Sequence, residues 1–167
     1  MIVLGIDPGY ATVGYGILQY EKNRFTPLAF GAITTPAGLP FSRRLEMIYD
    51  DINKLIEKFS PDVLSIEELF FTTNAKTGIA VAQARGVILL AAQKAGIPCF
   101  EYTPLQVKSA VTGYGKAEKK QVQELTRCIL ALDKVPKPDD TADALALAIC
   151  HCHSSGSALS ALYAGLK

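Results

Sequence analysis

The stretch Ile2-Val3-Leu4-Gly5-Ile6-Asp7-Pro8-Gly9 decides the fold. A short apolar run ends in a carboxylate, and a Pro-Gly pair follows at once. Such a run reads as a buried strand, with Pro-Gly as the turn that closes it. The strand therefore delivers Asp7 at its carboxyl end. An ionised carboxylate there is costly unless it is solvated, paired or metal-bound. A lone Asp before Pro-Gly also caps its own turn. The choice rests on which other acids reach the same edge.

Working outward, Thr12 to Tyr20 predicts a second strand, Glu21-Lys22-Asn23-Arg24 a polar turn, and Phe25 to Thr35 a third strand. Links this short imply antiparallel hairpins. Gly14 and Gly16 weaken the second strand and suggest a bend or a close approach by another backbone. Ser42 is the expected cap of a helix whose Leu45, Ile48, Tyr49, Ile52, Leu55, Ile56 and Phe59 share one face, and Ser60-Pro61 ends it. Asp62 to Ile66 is then a buried strand that also finishes in acids, Glu67-Glu68. A strand, helix and strand in succession lie parallel most easily. If this strand sits beside the first, Glu67 or Glu68 arrives next to Asp7.

Leu69 to Asn74 is a connection carrying Phe70 and Phe71. A helix rich in Ala and Gly follows from about Ala75 to Ala95, stopped by Gly96 with Pro98 beyond. Its small residues admit a second helix at close range, from this chain or from another copy. Ile97 to Tyr102 is the fifth strand. Thr103-Pro104-Leu105-Gln106 is a strong helix start, with Thr as cap and Gln three residues on. Gly113 to Lys116 interrupts, and Ala117 to Leu132 resumes. After Pro136-Lys137-Pro138 the last helix opens at Asp139-Asp140-Thr141-Ala142-Asp143. Asp140 and Asp143, three apart, share a helix face; Asp139 and Asp143, four apart, do so too. The expectation is one α/β domain over residues 1–153 and a loosely held tail over 154–167.

At 167 residues with a net charge of +1, the chain fits one domain and has no global pull toward nucleic acid or membrane. Charge is uneven, however. Between Leu69 and Ala117 the only acid is Glu101, against Lys76, Arg85, Lys94, Lys108 and Lys116. Such an excess forms either a phosphate-binding face or a solvated surface. The scattered Cys99, Cys128, Cys150 and Cys152 fit reduced thiols. Cys150-His151-Cys152-His153 looks metal-like, but neighbours on a helix point apart. No secretory leader is visible, and the apolar stretch Ile79 to Ala92 is too short to span a bilayer, so a cytoplasmic location is expected.

Asp7, Glu67 or Glu68, and two acids of the last helix would gather four carboxylates at one edge. Without cations they repel, and some stay protonated. Mg2+ or Mn2+ relieves that repulsion through oxygen ligation. Two such ions suit in-line attack of water on a phosphodiester. Helix capping by Asp140 and Asp143 is the plainer alternative.

Several collinear blocks make the chain resemble the RuvC family of bacterial Holliday junction resolvases over nearly its whole length. They are Gly5-Ile6-Asp7-Pro8-Gly9 with Gly14-Tyr15-Gly16, Ile66-Glu67 with Phe70, and Gln83-Ala84-Arg85-Gly86. Phe100-Glu101-Tyr102, Gln106-Val107-Lys108, Glu118-Lys119 and Ala142-Asp143-Ala144-Leu145-Ala146 up to His151 continue the match. The resemblance implies a ribonuclease H-like fold: a five-stranded mixed sheet, three strands antiparallel and two parallel, with helices on both faces. It selects Glu67 over Glu68, and Asp140 with Asp143 over Asp139. Asp7, Glu67, Asp140 and Asp143 become the expected metal ligands and catalytic acids, for Mg2+ or Mn2+ and two ions per site. The resemblance places Lys108 and Lys119 near the scissile phosphate and Phe70 at the junction core. Arg85 and Lys76 are weaker candidates for the DNA backbone. Implied partners are four-way junction DNA, a second copy of the chain, with the Ala- and Gly-rich helix as interface, and the RuvA–RuvB branch-migration complex. Two other readings are an actin-like or sugar-kinase ATPase, which needs two such domains, and a junction-binding module that does not cut.

Overall fold

A computed structural model describes residues 1–69 and 75–155, excepting the side chains of residues 75 and 76. Its elements are β1 (Ile2–Asp7), β2 (Thr12–Glu21), β3 (Arg24–Thr34), α1 (Phe41–Phe59) and β4 (Val63–Glu67). They continue with α2 (Ala75–Lys94), β5 (Cys99–Tyr102), α3 (Pro104–Thr112), α4 (Lys119–Ile129) and α5 (Asp139–Ser155). The five strands form one sheet in the order β3-β2-β1-β4-β5. β1, β2 and β3 pair antiparallel, while β4 runs parallel to both β1 and β5. The mixed five-stranded sheet expected from the sequence is therefore present.

Alternation along the strands divides the apolar residues between two cores. Leu4, Ile6, Val13, Ile17, Leu64 and Ile66 pack with Ile48, Ile52 and Ile56 of α1 and Ala84, Ile88 and Ala91 of α2. Val3, Leu18, Val63 and Tyr102 pack on the other side with Val107 and Val111 of α3, Val122 of α4 and Leu145 to Cys152 of α5. Helices thus cover both faces.

Two helix starts differ from expectation. α1 begins at Phe41 with Pro40 in the cap position and no side-chain cap bond, so Ser42 lies inside the helix. Proline's fixed φ suits entry into a helix without any hydroxyl. α4 begins at Lys119, not Ala117, with Glu118 and Gln121 closing a reciprocal capping box. The Thr103 cap of α3 is as expected, accepting from the Gln106 N–H at 3.2 Å. α5 continues through Ser155, and the remainder of the expected tail lies outside the described residues.

Candidate active site

Strand parity sets which side chains meet. Leu4 and Ile6 face α1 and α2, so Val3, Gly5 and Asp7 take the face covered by α5. β4 repeats the pattern: Val63 and Ser65 share the α5 face, and the Ser65 hydroxyl donates to the Leu147 carbonyl at 2.8 Å. Glu67 continues that parity, while Glu68 has the opposite one and is exposed. Ile6 and Ile66 are parallel register partners, so Asp7 and Glu67 end adjacent strands.

Glycine brings the last helix to the same edge. Gly14 is the cross-strand partner of Asp7, and a Cβ there would collide with the Asp140 carbonyl oxygen. A Cβ on Gly5 would strike the Ala144 carbonyl in the same way. Bare backbone at these positions lets the start of α5 lie directly on β1 and β2, and the close approach expected at Gly14 is by this helix. Asp140 and Asp143 are thereby carried to the carboxyl end of β1.

The electrostatics record the crowding. Asp7 is pushed from 3.8 up to about 8, first by burial, then by the charges of Asp143, Glu67 and Asp140, with Lys119 opposing. Burial also raises Glu67 and Asp143, each further raised by a neighbouring acid and lowered by Lys119. Among the described residues Asp7 has no hydrogen-bond donor and no ion pair within 4.0 Å. Asp143 is engaged, with one carboxylate oxygen 2.8 Å from Lys119 Nζ.

Asp7, Glu67, Asp143, Lys108 and Lys119 line one cavity of about 390 Å3, walled by Pro104, Val107 and Val122. Lys108 enters it from α3 and Lys119 from the first turn of α4. Asp140 contributes its charge at Asp7 but is not part of the cavity wall. Among the described residues, no three His, Cys, Asp or Glu groups converge tightly enough to enclose a metal ion as they stand. The donor set nonetheless fits a hard divalent cation. It is all carboxylate, and the displaced Asp7 marks surplus negative charge that such an ion neutralises.

Arg85 is tied into the scaffold. Its Nε donates to the Glu67 carbonyl at 3.2 Å, and its Nη2 lies 2.6 Å from Glu101. It braces the end of β4 instead of standing free as surface charge. Phe70 lies outside the described residues, as does the side chain of Lys76. His151 and His153 diverge as expected: His151 meets the Tyr102 hydroxyl at 2.8 Å, and His153 Nδ1 meets the Ala110 carbonyl at 3.0 Å.

One residue near the site is not singled out by the sequence. Arg44 of α1, only 8% exposed, donates to Thr35 Oγ1 at 2.8 Å and to the Tyr10 and Thr35 carbonyls, each at 3.3 Å. Its guanidinium also stacks 4.7 Å from the Tyr10 ring centroid. It pins the turn that follows Asp7. Nothing in the local pattern separates it from Arg43, which is exposed and pairs with Glu46. Asp139, the alternative to Asp140 among the acids of the last helix, lies 2.5 Å from Lys137 and 3.8 Å from Lys119.

Comparison with known proteins agrees with this geometry. The family described as "Crossover junction endodeoxyribonuclease RuvC" matches residues 3–151. A relative of that name from Ruminiclostridium cellulolyticum is 58% identical over 154 residues, which is 92% of this chain and 93% of its own. The solved structure of Thermus thermophilus RuvC superposes with a TM-score of 0.87 at 34% identity, covering 93% of this chain and 95% of that one. The same protein in complex with a Holliday junction substrate gives 0.85 at 32% identity, over the same shares. With 149 of its residues inside the family match and more than half identical to a named member, the chain belongs to the RuvC family.

Proposed function

We propose that this protein resolves Holliday junctions, making paired symmetric nicks in four-way DNA by water attack on the phosphodiester. The observation that carries the reading is the meeting of Asp7, Glu67 and Asp143 with Lys108 and Lys119 in one cavity. That cavity sits on a fold matching a relative solved with its junction substrate. Asp7, Glu67, Asp140 and Asp143 would hold the metal. Mg2+, or Mn2+ in its place, with two ions per site, supplies polarisation of the phosphate and a more acidic attacking water when bound.

The chain's own residues do the rest. Asp7 and Glu67, at the ends of neighbouring strands, offer oxygens from a rigid sheet edge. Lys108 and Lys119, in the same cavity, neutralise the scissile phosphate, a contact that weakens with salt. Phe70 stacks at the opened junction centre. Lys76 is assigned to the DNA backbone, whereas Arg85 is taken up in holding Glu67 and Glu101.

Two opposed cuts require two sites related by a two-fold, which a dimer supplies. On α2, Ile79 and Leu90 are 57% and 54% exposed. With Gln83 and Gly86 they form one stripe, while Ala84, Ile88 and Ala91 pack inward. That stripe supports α2 as the interface with a second copy. Among the described residues no helix is long and apolar enough to cross a membrane. We assign the protein to the cytoplasm, working on junctions handled by RuvA–RuvB.

The test is incubation of the purified protein with a labelled four-way junction, a matched linear duplex and Mg2+. Symmetric nicks on the junction alone, lost in chelator and in Asp7→Asn, are expected. Tight junction binding without cutting in either metal would overturn the nuclease reading and leave a binding module.

A further inference from the structure

The bond between Lys119 and Asp143 sets a problem for metal binding. Lys119 Nζ lies 2.8 Å from one Asp143 oxygen, inside the cavity that Asp7 and Glu67 share. A divalent ion ligated by Asp143 would meet this ammonium at close range. The ammonium must then move, yet phosphate contact requires it to stay near. Asp139 offers the nearest refuge. Its Oδ2 is 3.8 Å from Nζ, and it stands four residues before Asp143 on the same face of α5. A shift of about 1 Å would convert that contact into a charge-assisted hydrogen bond.

Asp139 is prepared for the role. Lys137 binds its other oxygen, Oδ1, at 2.5 Å, leaving Oδ2 toward Lys119.

We propose that Asp139 is the alternative seat of the Lys119 ammonium, which passes from Asp143 to Asp139 when Asp143 turns to a divalent cation. Asp139 is then a positioning residue that sets the metal affinity of the site without ligating the ion. The inference rests on the reading of Asp143 as a metal ligand.

The experiment is titration of the full-length protein with Mn2+ alone, following the EPR signal of the free ion, in a double-mutant cycle. Asp139→Asn should weaken Mn2+ binding about two- to fivefold, the range of an exposed ion pair. Asp139→Glu should restore it. Lys119→Met should tighten binding and erase the effect of Asp139→Asn. If Asp139→Asn weakens binding equally in the Lys119→Met background, Asp139 acts through its charge alone and the exchange is refuted. No effect in either background refutes it as well. Asp143→Asn separates the two levels: intact Mn2+ binding there overturns the ligand reading itself. Lost binding without coupling between residues 119 and 139 overturns only the exchange.

Discussion

Asp7→Asn should make the metal-free protein more stable while abolishing its chemistry. The carboxyl of Asp7 titrates at about 8 in the folded chain and near 3.8 when exposed. Between those values the unfolded chain has ionised while the folded chain retains the proton. The folded state therefore binds more protons, and stability falls as pH rises from about 4 to about 8. Each pH unit across that interval is worth about 1.36 kcal/mol, which sets a ceiling of about 4 kcal/mol at pH 7. Entry of water and relaxation of the site reduce the realised penalty. An Asn of nearly the same volume should recover about 1–3 kcal/mol at pH 7, raising Tm by roughly 2–12 °C. The assay is thermal unfolding in chelator from pH 4.5 to 8.5, wild type against variant. The gain should be small at pH 4.5, grow through neutrality and level off above pH 8. Mg2+ should then stabilise the wild type far more than the variant. A gain that is absent, or equal at pH 4.5 and 7.5, would refute the crowding of carboxylates at this edge.

Three further outcomes follow from the packing. Gly14→Ala drives a methyl into the Asp140 carbonyl, so it should cost about 1–3 kcal/mol or more; it should also cut junction cleavage more than junction binding, read by paired melting and gel-shift measurements. Arg44→Met takes the guanidinium donor from Thr35 Oγ1 and the Thr35 carbonyl, leaving the Tyr10 carbonyl with the Thr35 hydroxyl, and should cost about 2–4 kcal/mol in urea unfolding, whereas Arg43→Met should stay within about 0.5 kcal/mol. Arg85→Ala frees the Glu67 carbonyl and should lower the cleavage rate at saturating Mg2+ while junction affinity changes less than about threefold. A loss confined to affinity would return Arg85 to the DNA backbone.

The acids at the sheet edge were legible because strands and helix starts are local signals. A run ending in Asp7 and another ending in Glu67-Glu68 state where each strand stops, and parity along β4 separates the two glutamates once its partner is known. Gly14 declared a close approach, but the approaching element lies 126 residues later, and no local pattern names it. Asp143 was legible as an acid on the right face; its bond to Lys119 depends on how α4 docks beside α5, which is tertiary. Arg44 illustrates the same boundary. Its neighbours come from the β1–β2 turn and the end of β3, so two adjacent arginines with the same local context end in opposite environments. Ser42 was misplaced for a simpler reason: a good cap residue followed Pro40, and proline alone sufficed to start the helix.

The glycine-lined seam between α5 and the strands has a dynamic consequence. With Gly5 and Gly14 against the backbone of α5, and Leu145 to Cys150 buried on the sheet, the helix is locked in register where its backbone meets the strands. Local opening of α5 would expose β1 and β2 at once. Amide hydrogens of residues 4–6, 14–17 and 144–149 should thus exchange as one cooperative unit, at or near the global unfolding free energy. The exposed ends of α2 and the α3–α4 turn should open more readily. The acids would then stay fixed to a slow-exchanging frame while the elements around them admit and release a large substrate.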